Sequence, residues 1–253
     1  SDTVILRFAQ MDLVRSEWRN YLGSLPEGGE DIPYPQTDEG SFDISVVSIE
    51  ENGLRIPVNY VLPPGISRVT DPTNPYLRQL NEQSLSFKVT DLPDGDARAA
   101  YKNVNLDMRQ YKKLQMEIHG EAIEEGDLRD DELTVFLRLG SDYRENFYEV
   151  EVPLKLTRPG DYNNDIEAER LLVWPQENRF DFELELLQQV KQNRNNAMRQ
   201  NGSNVQYSTA FVNRIRNMKI TVVGNPNLSN IKTVMLGVRN PGRESNRSEE
   251  HKS

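Results

Sequence analysis

Apolar and polar residues alternate with a period of two along much of this chain, which predicts β-strands half facing a core. In QSLSFKVTDL (83–92), Leu85, Phe87 and Val89 alternate with Ser86 and Lys88, and the run stops at Pro93-Asp94-Gly95. In KLQMEIHGE (113–121), Leu114, Met116 and Ile118 take one face and Gln115, Glu117 and His119 the other. That pattern predicts a half-buried antiparallel strand with core on one side only. Leu133, Val135, Leu137 and Leu139 repeat it, as do Tyr148, Val150, Val152, Leu154 and Leu156 opposite Glu149, Glu151 and Lys155, with an interruption or edge at Pro153. Further strands are predicted at TVILRFAQMDLV (3–14), FDISVVSIEENG (42–53, closed by a turn signal at Asn52-Gly53), MKITVVG (218–224) and KTVMLGVRN (232–240). In the last two, Ile220, Val222, Val234, Leu236 and Val238 point inward. SEWRNYLG reads as a helical turn or an extended piece. Pro57, Pro63 and Pro64 put RIPVNYVLPPGISR (55–68) at a sheet edge or outside the sheet, since proline donates no ladder hydrogen bond.

One segment has helical period. Phe182, Leu186, Leu187 and Val190 fall at i, i+4, i+5 and i+8, so an amphipathic helix is predicted near 181–199, ended by Gly202. Long acidic or Pro/Gly-rich stretches separate the elements, notably SLPEGGEDIPYPQTDEG (24–40) and residues 158–170. Many short strands, turn signals between them and one helix predict an all-β, mainly antiparallel fold: a jelly-roll-like β-sandwich with long loops. Residues 1–40 are expected to hold a strand and an acidic mobile loop, 41–240 the sandwich domain, and 241–253 a disordered tail.

Charge narrows the function classes. The net charge of -10 repels a phosphate backbone and leaves no basic footprint, so nucleic acid is not an expected partner. The chain has no cysteine, which excludes disulfides, thiolate metal sites and a cysteine nucleophile. No run approaches the roughly 20 apolar residues of a membrane-spanning helix, and no basic-then-apolar N-terminal stretch looks like a signal peptide.

Candidate chemistry is sparse. Of the two histidines, His251 lies in the tail and His119 is read as a solvent-facing strand residue, too little for a metal pair or a Ser-His-Asp arrangement. Glu121, Glu124, Glu125, Asp127, Asp130, Asp131 and Glu132 lack the ordered spacing of a calcium loop and read as a solvated hairpin tip. DYNNDIEAE (161–169) is discounted on the same ground. Glu149 and Glu151 share a strand face about 7 Å apart, usable by a glycosidase but ordinary for an exposed face. Gly140, Ser141 and Asp142 in GSDYREN suit a ligand loop or a plain turn. Trp18, Trp174, Tyr60, Tyr76, Tyr143 and Tyr162 offer material for a sugar-stacking platform, whereas Trp174 reads better as a core plug beside the helix, and Trp18 as buried in the core or against neighbouring protein. No catalytic, cofactor-binding or metal residue is assigned, and no cofactor is expected.

PVNYVLPPGI (57–66), NEQSL (81–85), AAYKNVNLDMRQYKKLQMEIHGE (99–121), FLRLGSDYRENFYEVEVPLKLT (136–157), VWPQEN (173–178) and GNPNLSNIKTVMLGVRNP (224–241) together resemble the SprA (Sov) family of Bacteroidota. The resemblance implies a soluble internal segment of a large outer-membrane β-barrel, the type IX secretion translocon associated with gliding motility, which passes folded cargo to the cell surface. On that basis the segment is a non-enzymatic structural or partner-binding domain. Its partners would be other parts of the parent, partner subunits or cargo, and an extracellular cap is favoured over a periplasmic position. The strand pattern also looks like the galactose-binding-like jelly roll of carbohydrate-binding modules, which supplies the rival function; fold alone does not decide between them.

Overall fold

Valine, leucine, isoleucine and phenylalanine at every second position leave each strand one face to bury, and two sheets do so against each other. The computed structural model describes residues 3–9, 18–23, 25, 40–68, 70, 82–123 and 128–241. In chain order the described elements are β1 (Thr3–Ala9), β2 (Arg19–Tyr21), β3 (Ser41–Ser48), the one-turn helix α1 (Ile49–Asn52), β4 (Gln83–Thr90), β5 (Ala97–Leu106), β6 (Lys113–Ala122), β7 (Thr134–Gly140) and β8 (Phe147–Pro153). They continue with α2 (Glu167–Val173), β9 (Phe180–Glu183), α3 (Glu185–Met198), β10 (Phe211–Ile215), β11 (Met218–Val223) and β12 (Ile231–Arg239). One sheet runs β3-β4-β1-β6-β9 and the other β10-β11-β8-β7-β12-β5-β2. Every neighbouring pair is antiparallel. The expected all-β antiparallel sandwich is therefore observed.

The shared core takes Leu6, Phe8, Leu85, Phe87, Met116 and Ile118 from the first sheet. The second contributes Val135, Leu137, Leu139, Tyr148, Val150, Val152, Ile220, Val222, Val234, Leu236 and Val238, as their alternation predicts. Strands β9 and β10 are the terminal strands of the two sheets at one side of the sandwich. Helix α3 lies against β9, β10 and β11 there, burying Leu187 and Val190. At the opposite side Asn20 Nδ2 of β2 donates to Phe42 O of β3 at 3.4 Å, tying the two sheets together.

Gly237 breaks the apolar run of β12 for a steric reason. A Cβ there would sit 2.3 Å from Phe136 Cζ and 2.8 Å from Arg98 O, and Phe136 is fully buried. Gly237→Ala is expected to cost about 1–3 kcal/mol, seen as a lower urea midpoint with unchanged slope. Wild-type stability in that variant would mean that Phe136 has room to move.

Several expectations are corrected. The helical period began too early: Phe180 and Phe182 belong to β9, pairing with Met116 and Leu114, and α3 starts at Glu185. Residues 158–170 are not all loop, because α2 begins at Glu167. The strand expected over 42–53 stops at Ser48, and Ile49–Asn52 forms the one-turn helix α1, capped by the Ser48 hydroxyl, before the turn at Gly53. β5 and β10 were not read as strands. In β5 the core side carries Ala100, Val104 and Leu106 while Ala97, Ala99 and Tyr101 face the other way, so no run of large apolar residues marks it. SEWRNYLG resolves to the short strand β2. Most of the 24–40 stretch and the tail beyond Pro241 lie outside the described residues. Above all, the core is not one-sided: both sheets carry buried polar residues on their outer faces as well.

Candidate functional site

Of the residues singled out for chemistry, His119, Glu121, Glu149 and Glu151 lie in two buried polar layers, one on each outer face. On the first sheet, β1 and β6 pair so that Arg7 stands opposite His119 and Ile5 opposite Glu121. Alternation turns Arg7, His119 and Glu121 away from the core. They are nevertheless buried, because the proline-flanked segment 57–62 and the end of α2 form a strap across this face. The strap has its own apolar cluster of Val58, Tyr60, Val61, Leu62, Val173 and Trp174, packed on Ala9 and Val47. Trp174 Nε1 donates to Val61 O at 2.9 Å, so this tryptophan pins the strap and does not plug the core beside α3.

His119 is fully buried, which corrects the solvent-facing reading. Its Nδ1 lies 2.7 Å from Val173 O, and since a carbonyl only accepts, Nδ1 carries the proton. Its Nε2 lies 3.4 Å from Glu121 Oε2 without a hydrogen bond between them. Burial, with Arg7 next, pushes the His119 pKa below its ordinary value. Arg7 Nη2 donates to Val58 O at 3.1 Å and to Glu121 Oε1 at 3.3 Å, and Arg55 pairs with the same carboxylate oxygen. Burial pulls the Arg7 pKa down to about 10 against the opposing pull of Glu121. For Glu121 burial acts upward, yet the guanidinium charges of Arg7 and Arg55 oppose it and the carboxyl stays below its usual range.

The second layer lies on the outer face of the other sheet. Arg138 of β7 stands in register with Glu149 of β8, and its Nε and Nη2 donate to Glu149 Oε2 at 2.9 and 2.6 Å. Arg239 of β12 reaches Glu149 Oε1 at 2.9 Å and Glu151 Oε2 at 2.8 Å, and Lys219 lies 3.5 Å from Glu151 Oε2. Arg138 sits 3.9 Å above the Phe147 ring and Arg239 4.4 Å above Phe136. Burial acts to raise the Glu149 pKa, but the charges of Arg239 and Arg138 win and hold it down to about 2. The two glutamates read as an exposed acid pair are thus buried and neutralised by arginines. No cleft opens onto them among the described pockets.

The acidic loops serve as backbone caps where described. Asp130 accepts from Leu156 N, Asp131 pairs with Lys155, and Glu132 accepts from Arg129 N. Glu124, Glu125 and Asp127 lie outside the described residues, as does Tyr76. In 161–169, Asn163 Oδ1 accepts from Asp165 N and Asn164 Oδ1 from Leu62 N. No group of carboxylates or histidines fit to hold a metal ion occurs among the described residues. Asp142 accepts from the amides of Arg144, Glu145 and Asn146, which makes GSDYREN a turn. Tyr60 is buried, with its hydroxyl 2.7 Å from that of Ser84; Tyr162 closes the strap, with its amide donating to Asn59. Tyr143 packs against Tyr21 and Tyr101 at 5.3 Å, and Trp18 lies half-buried against the main core.

Sequence reasoning missed the three arginines that organise these layers. Their signal was present: Arg7 interrupts ILRFA and Arg138 interrupts FLRLG, each a lone cation inside a strand whose neighbours are apolar.

A family model described as motility related/secretion protein, SprA_N, matches residues 1–252. The chain belongs to the SprA family. The match spans all six strings on which the resemblance rested, and it makes this SprA segment part of a motility- or secretion-related protein. No curated protein matches the chain significantly. No helix among the described residues of this SprA chain is long and apolar enough to cross a membrane.

Proposed function

We propose that this chain is a non-catalytic domain of a type IX translocon in the outer membrane, acting as a structural wall or partner-binding cap on the extracellular side and contacting other segments of the parent, its subunits or its cargo. One observation carries the reading. The groups best suited to chemistry, His119, Glu121, Glu149 and Glu151, are all buried in ion-paired layers beneath protein, where they rigidify the two sheets. Substrate would have no access to them without lifting the strap or prising apart the outer face of the second sheet.

The carbohydrate-binding rival needs aromatic rings aligned on one exposed surface. Among the described residues the exposed aromatics are Tyr111 and Tyr207, 61% and 50% accessible, which sit on separate elements and make no ring-to-ring contact. That favours the structural reading.

Sidedness is tested in cells. This chain has no cysteine, so Asn201→Cys, in the exposed turn after α3, places one thiol in this domain, and its labelling is read against the intact parent without the substitution. Labelling by a membrane-impermeant maleimide without permeabilisation is the expected result. Labelling only after the outer membrane is opened, with folding verified, would move the domain to the periplasmic side.

A further inference from the structure

A concavity of about 550 Å³ lies at the margin of the strap, lined by Pro57, Ala122, Ile123, Leu128, Leu156 and Pro159 and bordered by Arg129, Asp130, Thr157 and Arg158. Its floor is apolar and its charge is unbalanced. Asp130 Oδ1 accepts from Leu156 N at 2.8 Å, and its carboxylate offsets one of the two guanidinium charges on the rim. Arg129 and Arg158 are exposed, and among the described residues neither guanidinium makes an ion pair or hydrogen bond. This is unusual in a chain of net charge -10, where carboxylates outnumber lysine and arginine 40 to 30.

A second concavity among the described residues makes a contrast. The cleft of about 370 Å³ beside the start of α3 also has an apolar floor, of Phe182, Leu186, Ile215 and Met218. Its cations are Lys113, paired with Asp181 at 2.5 Å, and Arg216, and the carboxylates Asp181, Glu183 and Glu185 outnumber them. Of the two, the strap-side pocket joins its apolar floor to an excess of positive charge among the described residues, two arginines against Asp130. Its rim is fixed by main-chain bonds: Gly160 N donates to Pro57 O at 2.9 Å, and Ile123 N to Thr3 O at 3.0 Å. A site on such a rim is preorganised and loses little ordering entropy when filled.

We propose that this pocket binds an acidic, apolar peptide segment of a partner protein, with a carboxylate between Arg129 and Arg158 and aliphatic side chains over Ile123, Leu128 and Leu156. Guanidinium pairs favour planar carboxylates, and a volume of this size lies in the range of ordinary ligand pockets. A peptide is favoured over a small amphiphile because the two cations and the apolar floor lie side by side at an open surface, which suits alternating acidic and aliphatic side chains. The proposal rests on the partner-binding reading and names one partner chemistry for it. Its failure in a purified system would leave the cellular labelling result untouched.

The probe is a dye-labelled eight-residue peptide alternating glutamate and leucine, titrated by fluorescence polarisation against the purified chain. Binding is expected, weakened at least about tenfold when glutamine replaces glutamate or when the protein carries both Arg129→Gln and Arg158→Gln. Both arginines are exposed, so the double variant should keep the wild-type melting temperature. Raising salt should weaken binding to the wild type and leave the double variant indifferent. Equal affinity for the two peptides, or no loss in the double variant, would overturn the proposal. So would binding of decanoate at this pocket with none of the peptide, which would assign the site to a small amphiphile.

Discussion

Replacing Arg239 by methionine is expected to lower the unfolding free energy by about 3–5 kcal/mol, the range for removing one partner from a buried ion pair. The guanidinium bridges Glu149 and Glu151, and all three side chains are at most 5% exposed. Methionine keeps much of the packing against Phe136 but leaves Glu151 with only Lys219 and Thr134, and Glu149 with only Arg138. The sign of the pH dependence separates this cause from simple loss of packing. In the wild type the Glu149 pKa is depressed, to about 2 against an unfolded value near 4.3, so its contribution is present above about pH 4.3 and is lost as pH falls towards 2. Without Arg239, burial is opposed by one arginine fewer and the pKa rises. The gap between wild type and variant should therefore narrow on acidification, measured by urea unfolding at several pH values. A gap constant from pH 7 to 3 would show that Arg239 acts by packing alone. Adding Glu151→Gln to the arginine variant removes the carboxylate that has lost Arg239, while Glu149 keeps Arg138, and is expected to recover part of the loss.

The two layers also explain why the fold was more legible than the site. Strand positions followed from one face of each strand, because a core of Leu6, Phe87, Val150 and Leu236 demands strict alternation and the sequence supplies it. The opposite face was read as solvated because it is polar. Polarity reports solvent only when no complementary charge lies opposite, and pairing across strands is a long-range fact: Arg7 meets Glu121 across 114 residues, and Arg239 meets Glu149 across 90. Local pattern cannot see such partners. The same limit misplaced Trp174, whose companions Tyr60 and Val61 lie more than 100 residues away in a segment whose prolines mark it as outside the sheet. Phe182 was absorbed into a helix because the helical and strand periods overlap for a few residues, and its pairing with Leu114 in β6 decided the matter.

Trp174→Ala is expected to release the strap without dissolving the sandwich. Truncating a fully buried tryptophan costs about 3–5 kcal/mol when the whole fold depends on it. Here the lost contacts belong to the strap cluster, and the main core between the sheets keeps its own. The loss should therefore appear first as local opening. The reporter is His119, whose ring centre lies 5.9 Å from that of Trp174 and whose Nδ1 proton is held by Val173 O, at the end of the same strap. In the wild type, burial keeps the imidazole neutral to a pH below its ordinary pKa, so stability falls as pH drops below about 6.5, where the unfolded chain takes up the proton first. With the strap lifted, water reaches the ring, the NMR titration midpoint of His119 climbs towards about 6.5, and that part of the acid sensitivity disappears. Only one other histidine, His251, must be told apart in the spectrum. Should the midpoint stay low while global stability drops by the full amount, Trp174 would be filling space within a single cooperative fold, and the strap would have no independent opening. Trp174→Phe, which keeps an aromatic ring but drops the bond to Val61 O, is expected to fall between the two, with a smaller rise in the His119 midpoint.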